Sequence, residues 1–220
     1  MKIIDAGYEI MFIDLNDPQV VKDIYNRIET VGRVCYKSEA SKDGPEEFIK
    51  RLIKRGHEAM LEHASLTVKF TVDRGISHEL VRHRLASFAQ ESTRYCNYSK
   101  DKFGNEVTVV RPVFLKKKPE DDREFRHWYC TCKLAEFSYF GMLDEGATPQ
   151  EARSVLPNSL KTEVVMTANI REWRHFLKLR AAGTTGKPHP QMLEVAVPLL
   201  NELRMKLPAL FEDIVPMEEE

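Results

Sequence analysis

The sequence predicts an α+β fold, a single domain over residues 1–220 with a mixed or antiparallel sheet and long flanking helices. Three observations point there. Two stretches alternate apolar and polar residues at the period of a strand. Several longer stretches place apolar residues at the three- and four-residue spacing of a helix. The two kinds do not alternate strictly along the chain, which disfavours a doubly wound parallel sheet. No repeat or linker divides the 220 residues, a length that can bury one large core.

In chain order, Asp17 followed by Pro18 is an N-cap and first-turn pair, opening a helix with Val20, Val21, Ile24, Tyr25 and Ile28 on one face. A second helix covers PEEFIKRLIKR, with Phe48, Ile49, Leu52 and Ile53 inward and Gly56 at its end. In ASLTVKFTV the period changes: Ala64, Leu66, Val68, Phe70 and Val72 alternate with polar residues, as in a strand with one wet face. GISHELVRHR is again helical, and EVTVVRPVF is a strand stopped by Pro112. A long helix spans Pro119 to Leu143 and is closed by Gly146. Thr148, Pro149 and Glu151 form a capping box. TEVVMTAN alternates, IREWRHFLKLR is helical with Trp173 packed inward, and HPQMLEVAVPLLNELRMKL is a last helix expected to bend at Pro198.

Composition narrows the function classes. With 33 Lys plus Arg against 34 Asp plus Glu, the formal charge is −1. A generally cationic, nucleic-acid-binding surface is not expected. No apolar run approaches the roughly 20 residues of a membrane span, and the first residues lack the marks of a signal peptide, so a cytoplasmic protein is expected. Four cysteines, Cys35, Cys96, Cys130 and Cys132, are too irregularly placed for a disulfide framework, and they read as reduced thiols.

Against this neutral background one cluster stands out. Arg82, His83, Arg84, Ser87, Gln90, Ser92 and Arg94 lie within thirteen positions. Cations so close repel one another unless an anion sits among them. Hydroxyls and backbone N–H groups in ESTR, with arginines that donate paired hydrogen bonds, suit a phosphate. Arg153 lies near a second turn, and Arg171 and His175 share a helical face, with Arg180 about 13 Å further along the axis. Two rival readings stand beside this one. A metal-dependent hydrolase would use His57, His63, His78 and His83, but the histidines of HEAMLEH are six apart rather than four. A nucleic-acid-binding module would use the basic cluster alone.

The run RHRLASFAQESTRY closely resembles the R-H-R-x-x-S-x-x-x-x-S-x-R signature of the flavin-dependent thymidylate synthases, through Arg82, His83, Arg84, Ser87, Ser92 and Arg94. GHEAMLEH upstream, and ARSVLP and NIREWRHFLKLRA downstream, extend the resemblance over most of the chain. It implies reductive methylation of dUMP to dTMP with FAD as cofactor, NADPH and 5,10-methylenetetrahydrofolate as co-substrates, no metal, and a homotetramer with shared active sites. By position it implies that His57, Arg82, His83, Arg84, Gln90, Asn169, Arg171 and His175 bind the flavin. Glu79, Arg82, Gln90, Glu91, Ser92, Thr93, Arg94, Arg153 and Arg180 would bind dUMP, with Arg180 the catalytic residue held over the pyrimidine. The chain departs from the family pattern at Glu79, where glutamine is frequent, and at Ala59, where a small hydroxyl residue is. The segment AAGTTGKPHPQ after Arg180 is longer than the common form. The matched motif ends before Cys96, which is read as a packing residue and not as a nucleophile.

Overall fold

The computed structural model describes residues 1–38 and 44–217. Its elements in order are β1 (Lys2–Ile4), β2 (Gly7–Met11), α1 (Pro18–Tyr36), α2 (Gly44–Lys54), β3 (Ser65–Asp73), α3 (Arg74–Leu80), β4 (Ala86–Gln90), β5 (Thr108–Val110), α4 (Arg123–Asp144), α5 (Pro149–Ala152), β6 (Lys161–Asn169), α6 (Ile170–Arg180), α7 (Pro190–Lys206) and α8 (Pro208–Phe211). The fold is α+β, with strands gathered in two sheets. β1 and β5 pair in parallel, Ile3 opposite Val109. The other sheet has strand order β2-β3-β6-β4.

The chain forms two compact units. One comprises Met1–Gly7, Phe70–Arg82 and Phe88–Val165, the other the rest of the described chain, so β3, β4 and β6 each pass from one to the other. The first unit is built on Tyr98, Val107, Val109, Cys132, Tyr139, Ala152 and Leu160. The second packs α1 on α2 and α6 on α7, with Ile28, Ile49, Trp173, Phe176 and Leu203 fully buried.

Local chemistry explains the boundaries. Asp17 caps α1 by accepting from Gln19 N–H at 2.8 Å, with Pro18 in the first turn. Asp73 caps α3 through Ile76 N–H at 2.8 Å, and Asn169 caps α6 through Glu172 N–H at 2.9 Å. Thr148 and Glu151 form the expected capping box. β3 and β6 show the alternation read from sequence, with Leu66, Val68, Phe70 and Val72 buried on one, Val164, Met166 and Ala168 on the other. Thr67 meets Thr167 at 2.9 Å and Ile170 N–H donates to Ala64 C=O at 2.8 Å, so rising numbers on β3 face falling numbers on β6 and the strands are antiparallel.

Several details differ from the sequence reading. β1, β2 and β4 were not anticipated, being only three and five residues long, and β4 lies inside the basic cluster. The strand at EVTVVRPVF is confined to Thr108–Val110 because Pro112 starts a 3-10 turn. Ile53 is half-buried, and α4 leaves Leu134 and Phe137 exposed at 64% and 75%. α7 runs from Pro190 to Lys206 with Pro198 inside it on the exposed side.

Candidate active site

In the first unit the candidate residues lie at the end of β4 and in the loop after it. Glu91 N–H donates to Glu163 C=O at 2.9 Å, which pins this end of β4 to β6. The chain then turns tightly, because Ser92 C=O accepts from Tyr95 and Cys96 N–H at 3.1 and 2.9 Å and Ser92 Oγ accepts from Arg94 N–H at 3.3 Å. Thr93 is buried and its Oγ1 accepts from Arg153 at 3.2 Å. Arg94 is exposed and donates from Nε to the Gln150 amide oxygen at 3.2 Å. Thus residues about 60 positions apart are brought together, as the sequence reading required of Arg153.

The partners of these two arginines matter as much as their positions. Arg94 and Arg153 are both held by neutral acceptors, and among the described residues neither meets a carboxylate at ion-pair distance. Their charge is left for an anion, the condition a phosphate site needs. Arg82, at the end of α3, is likewise exposed. Gln90 is different. Its amide nitrogen donates to Ser77 Oγ at 2.9 Å and to Thr162 Oγ1 at 3.2 Å.

Glu91, expected to bind dUMP, has protein partners of its own. Its carboxylate accepts from Lys161 at 2.9 Å and from the Tyr98 hydroxyl at 3.2 Å, and it lines a cavity of ≈ 460 Å³ with Lys2, Lys102, Phe103 and Glu163. An anion beside a phosphate is unfavourable, and Lys161 offsets the Glu91 charge. Glu79 is half-buried on α3.

In the second unit the candidate residues centre on α6. Arg171 and His175 lie four apart on this helix, as expected, and both are exposed. Asn169 commits its side-chain oxygen to the helix cap, leaving its NH₂ to donate. His83 is buried at 6% exposure, its ring edge-on to Phe176 at 4.9 Å and to His175 at 6.0 Å. Arg180 Nε–H donates to His83 Nε2 at 3.2 Å, while His83 Nδ1 faces Glu172 at 3.4 Å.

These contacts decide the protonation of His83. Burial, then the charge of Arg180, then His175, push its pKa down to about 4. The ring is neutral near pH 7. Because Nε2 accepts from Arg180, the single ring proton sits on Nδ1, directed at Glu172. The 3.4 Å contact therefore joins a neutral imidazole to the carboxyl and is not an ion pair, even though one partner is acidic. Burial in turn pushes the Glu172 carboxyl up.

His57 is exposed at the start of the 3-10 helix Glu58–His63. That segment is tied to α6 by its acids: Glu62 pairs with Arg171 at 2.6 Å and Glu58 with Arg174 at 3.3 Å. Arg174, completely buried, also makes a two-pronged pair with Asp213 at 2.7 Å on both oxygens, and donates to Leu210 C=O. Sequence reasoning passed over Arg174, Glu172 and Asp213. The signal for Arg174 was present, since it shares the buried helical face of Ile170, Trp173 and Leu177.

Among the described residues, one donor atom each of His83, Glu172 and His175 come within 4.8 Å of one another. This is not the histidine set of the hydrolase rival, for His57, His63 and His78 are not in it, and His83 Nε2 already accepts from Arg180. No helix of the described residues is long and apolar enough to cross a membrane.

Comparison with known proteins adds the family. A family described as "Thymidylate synthase complementing protein" matches residues 19–209. A protein from Corynebacterium aurimucosum named flavin-dependent thymidylate synthase is 34% identical over 207 residues, covering 84% of this chain and 78% of its own. One of the same name from Geobacter sulfurreducens is 30% identical over 198 residues, covering 86% and 81%. The UMP/dUMP methylase PolB of Streptomyces cacaoi, bound with 5-Br dUMP, superposes with a TM-score of 0.72 over 96% of each chain at 23% identity, a likeness of fold.

Proposed function

We propose the function from one premise: the chain belongs to the thymidylate synthase complementing protein family, and it acts as a flavin-dependent thymidylate synthase, a methyltransferase that converts dUMP to dTMP. The observation that carries the nucleotide half of this reading is the loop after β4. Arg94 and Arg153 are positioned by Gln150 and Thr93, neutral partners that leave both charges for the phosphate of dUMP. Ser92, Thr93 and Arg82 complete the phosphate side, and Gln90 faces the nucleoside.

The finer reading takes FAD as the flavin, NADPH as reductant and 5,10-methylenetetrahydrofolate as one-carbon donor. The donor set suits a flavin with an anionic pyrophosphate: Arg84 is exposed and makes no ion pair among the described residues, Asn169 keeps its NH₂, and His175 is exposed. His57, Arg82, His83, Arg84, Gln90, Asn169, Arg171 and His175 are the residues that would hold it. When bound, it supplies the hydride that completes the methyl group. The chain's own part is electrostatic. A guanidinium at the N3–O4 edge of uracil stabilises negative charge delocalised from N3, and so raises electron density at C5. Arg180 is the residue for that task, because it stays cationic at any working pH. Its Nε is held by a neutral imidazole, so no carboxylate at that contact offsets its charge.

A homotetramer is part of the proposal. Exposed Leu134 and Phe137 lie on α4 with exposed Cys130 at helical spacing, an apolar stripe suited to another subunit. The test of the function is tritium release from C5-labelled dUMP. Release is expected only with flavin, reductant and methylenetetrahydrofolate together, accompanied by dTMP. A flavin-loaded protein that yields neither tritium nor dTMP would refute the reading.

A further inference from the structure

The hydrogen bonds around Gln90 fix more than its place. Ser77 is completely buried, and its hydroxyl donates to Arg74 C=O at 2.8 Å. A serine hydroxyl has one hydrogen. With that hydrogen committed, Ser77 Oγ can only accept from the Gln90 atom 2.9 Å away, which must be the amide nitrogen. Thr162, 1% exposed, takes the second amide hydrogen at 3.2 Å. Flipping the amide would set its oxygen against Ser77 Oγ with no hydrogen between them, or break the Ser77–Arg74 bond. The first sets two acceptors against each other, and the second costs the Ser77–Arg74 hydrogen bond.

The consequence lies on the other side of the amide. Both donors of Gln90 are used, and its Oε1 has no partner among the described residues. Gln90 is half-buried and is the last residue of β4, two residues before Ser92 in the loop that carries Arg94. It therefore offers one fixed acceptor, about 7 Å along an extended chain from the phosphate loop.

We propose that Ser77 and Thr162 are positioning residues that lock the Gln90 amide, so that its carbonyl oxygen accepts a hydrogen bond from the sugar 3′-hydroxyl of the bound nucleotide. This rests on the reading of the loop as a dUMP site. Outside its phosphate, dUMP has only two hydrogen-bond donors, the 3′-hydroxyl and the ring N3–H. The acceptor's closeness in the chain to the phosphate loop selects the sugar. The lock also separates Gln90 from a carboxylate at the same position. Glutamate there would face Ser77 Oγ with acceptors only, and would force Ser77 to give up Arg74 C=O.

The experiment is a binding cycle by calorimetry on the flavin-loaded protein. Its probes are dUMP, 2′,3′-dideoxyuridine monophosphate and N3-methyl-dUMP, each against wild type, Ser77→Ala, Thr162→Val and Thr162→Ser. Wild type should bind the dideoxy compound roughly 5-fold more weakly than dUMP, the loss of one neutral hydrogen bond. Thr162→Val should weaken dUMP by a similar factor yet leave the dideoxy affinity unchanged, and Thr162→Ser, which keeps the hydroxyl, should restore dUMP. A purely structural role for Thr162 would weaken both nucleotides alike. Equal losses for both, or a wild type that tolerates the dideoxy sugar but rejects N3-methyl-dUMP, would overturn the proposal. If Ser77→Ala does not fold, the two Thr162 variants decide alone. A wild type that binds none of the three nucleotides would overturn the dUMP-site reading itself, and this inference with it.

Discussion

The loop after β4 and the buried side of α6 both depend on arginine, and they use it in opposite ways. In the loop, Arg94 and Arg153 rest on an amide and a hydroxyl. On α6, Arg174 in complete burial gives both terminal nitrogens to two carboxylates and a carbonyl, while its Nε has no partner among the described residues. The difference separates binding from holding. A guanidinium supported by neutral groups keeps its charge for a ligand, whereas one surrounded by acids has spent that charge on the fold. Arg180 belongs with the first kind in one respect, since the partner of its Nε is a neutral imidazole.

The largest effect should come from breaking the buried kind. Burial opposes the charge of Arg174, but Asp213 and Glu58 outweigh it and hold its pKa up. Asp213→Ala removes the two-pronged partner and leaves Glu58 alone at 3.3 Å. A loss of about 3 kcal/mol in folding stability is expected, toward the lower end for a broken buried pair, because the Asp213 side chain is 42% exposed. Denaturant unfolding measures it. A loss under about 1 kcal/mol, the range of a surface pair, would erase the distinction between the two regions.

Arg94→Ala tests the other side. Its stability should be close to wild type, since Arg94 is exposed and its side chain meets only the Gln150 amide and the exposed Tyr95 ring among the described residues. Its dUMP affinity should fall by roughly 30- to 150-fold, the loss of about 2–3 kcal/mol from a charge-assisted contact. Flavin content should not change. Calorimetry showing equal dUMP affinity, or a variant that has lost stability instead, would place Arg94 with Arg174.

A smaller effect should appear in pH. Unfolded, His83 takes a proton near its ordinary 6.5; folded, it refuses one until about 4. Between those values the unfolded state binds more protons, so this residue makes stability fall as pH is lowered from about 6.5 to about 4. Glu172, pushed up by burial, acts in the opposite sense above its ordinary 4.5, while Arg180 and His175 also face the ring and oppose its protonation. The His83 contribution is therefore the difference between wild type and His83→Gln across that range. Parallel stability curves for the two proteins would mean that His83 is not held neutral.

How much of this was legible follows from distance in the chain. The alternation of β3 and β6, the caps at Asp17 and Thr148, and the shared helical face of Arg171 and His175 are local, and so were legible directly. The buried place of Arg174 was also written in helical spacing, but its partner Asp213 lies 39 residues away and only packing brings it there. The same holds for Gln90 and Thr162, 72 residues apart, and for the pairing of Glu91 with Lys161, 70 residues apart. The motif named the residues of the loop; it could not say which of them face a ligand.

The smallest effect is expected at Cys96, and it sharpens the comparison because this thiol stands two residues past Arg94. An exposed, uncompensated arginine could in principle favour a thiolate nearby. The structure points the other way. Cys96 is half-buried, and burial first, then the Glu91 carboxylate, push its pKa up. It packs against the core of the first unit beside Tyr98 and Tyr139. A raised pKa keeps it protonated at neutral pH, and the electrostatic activation of C5 assigned to Arg180 requires no thiol. Cys96→Ser should therefore retain most dTMP-forming turnover, with any loss traceable to packing in a thermal unfolding curve. A folded, flavin-replete Cys96→Ser protein without activity, together with a covalent nucleotide adduct trapped at Cys96 in the parent, would overturn both this expectation and the electrostatic role of Arg180.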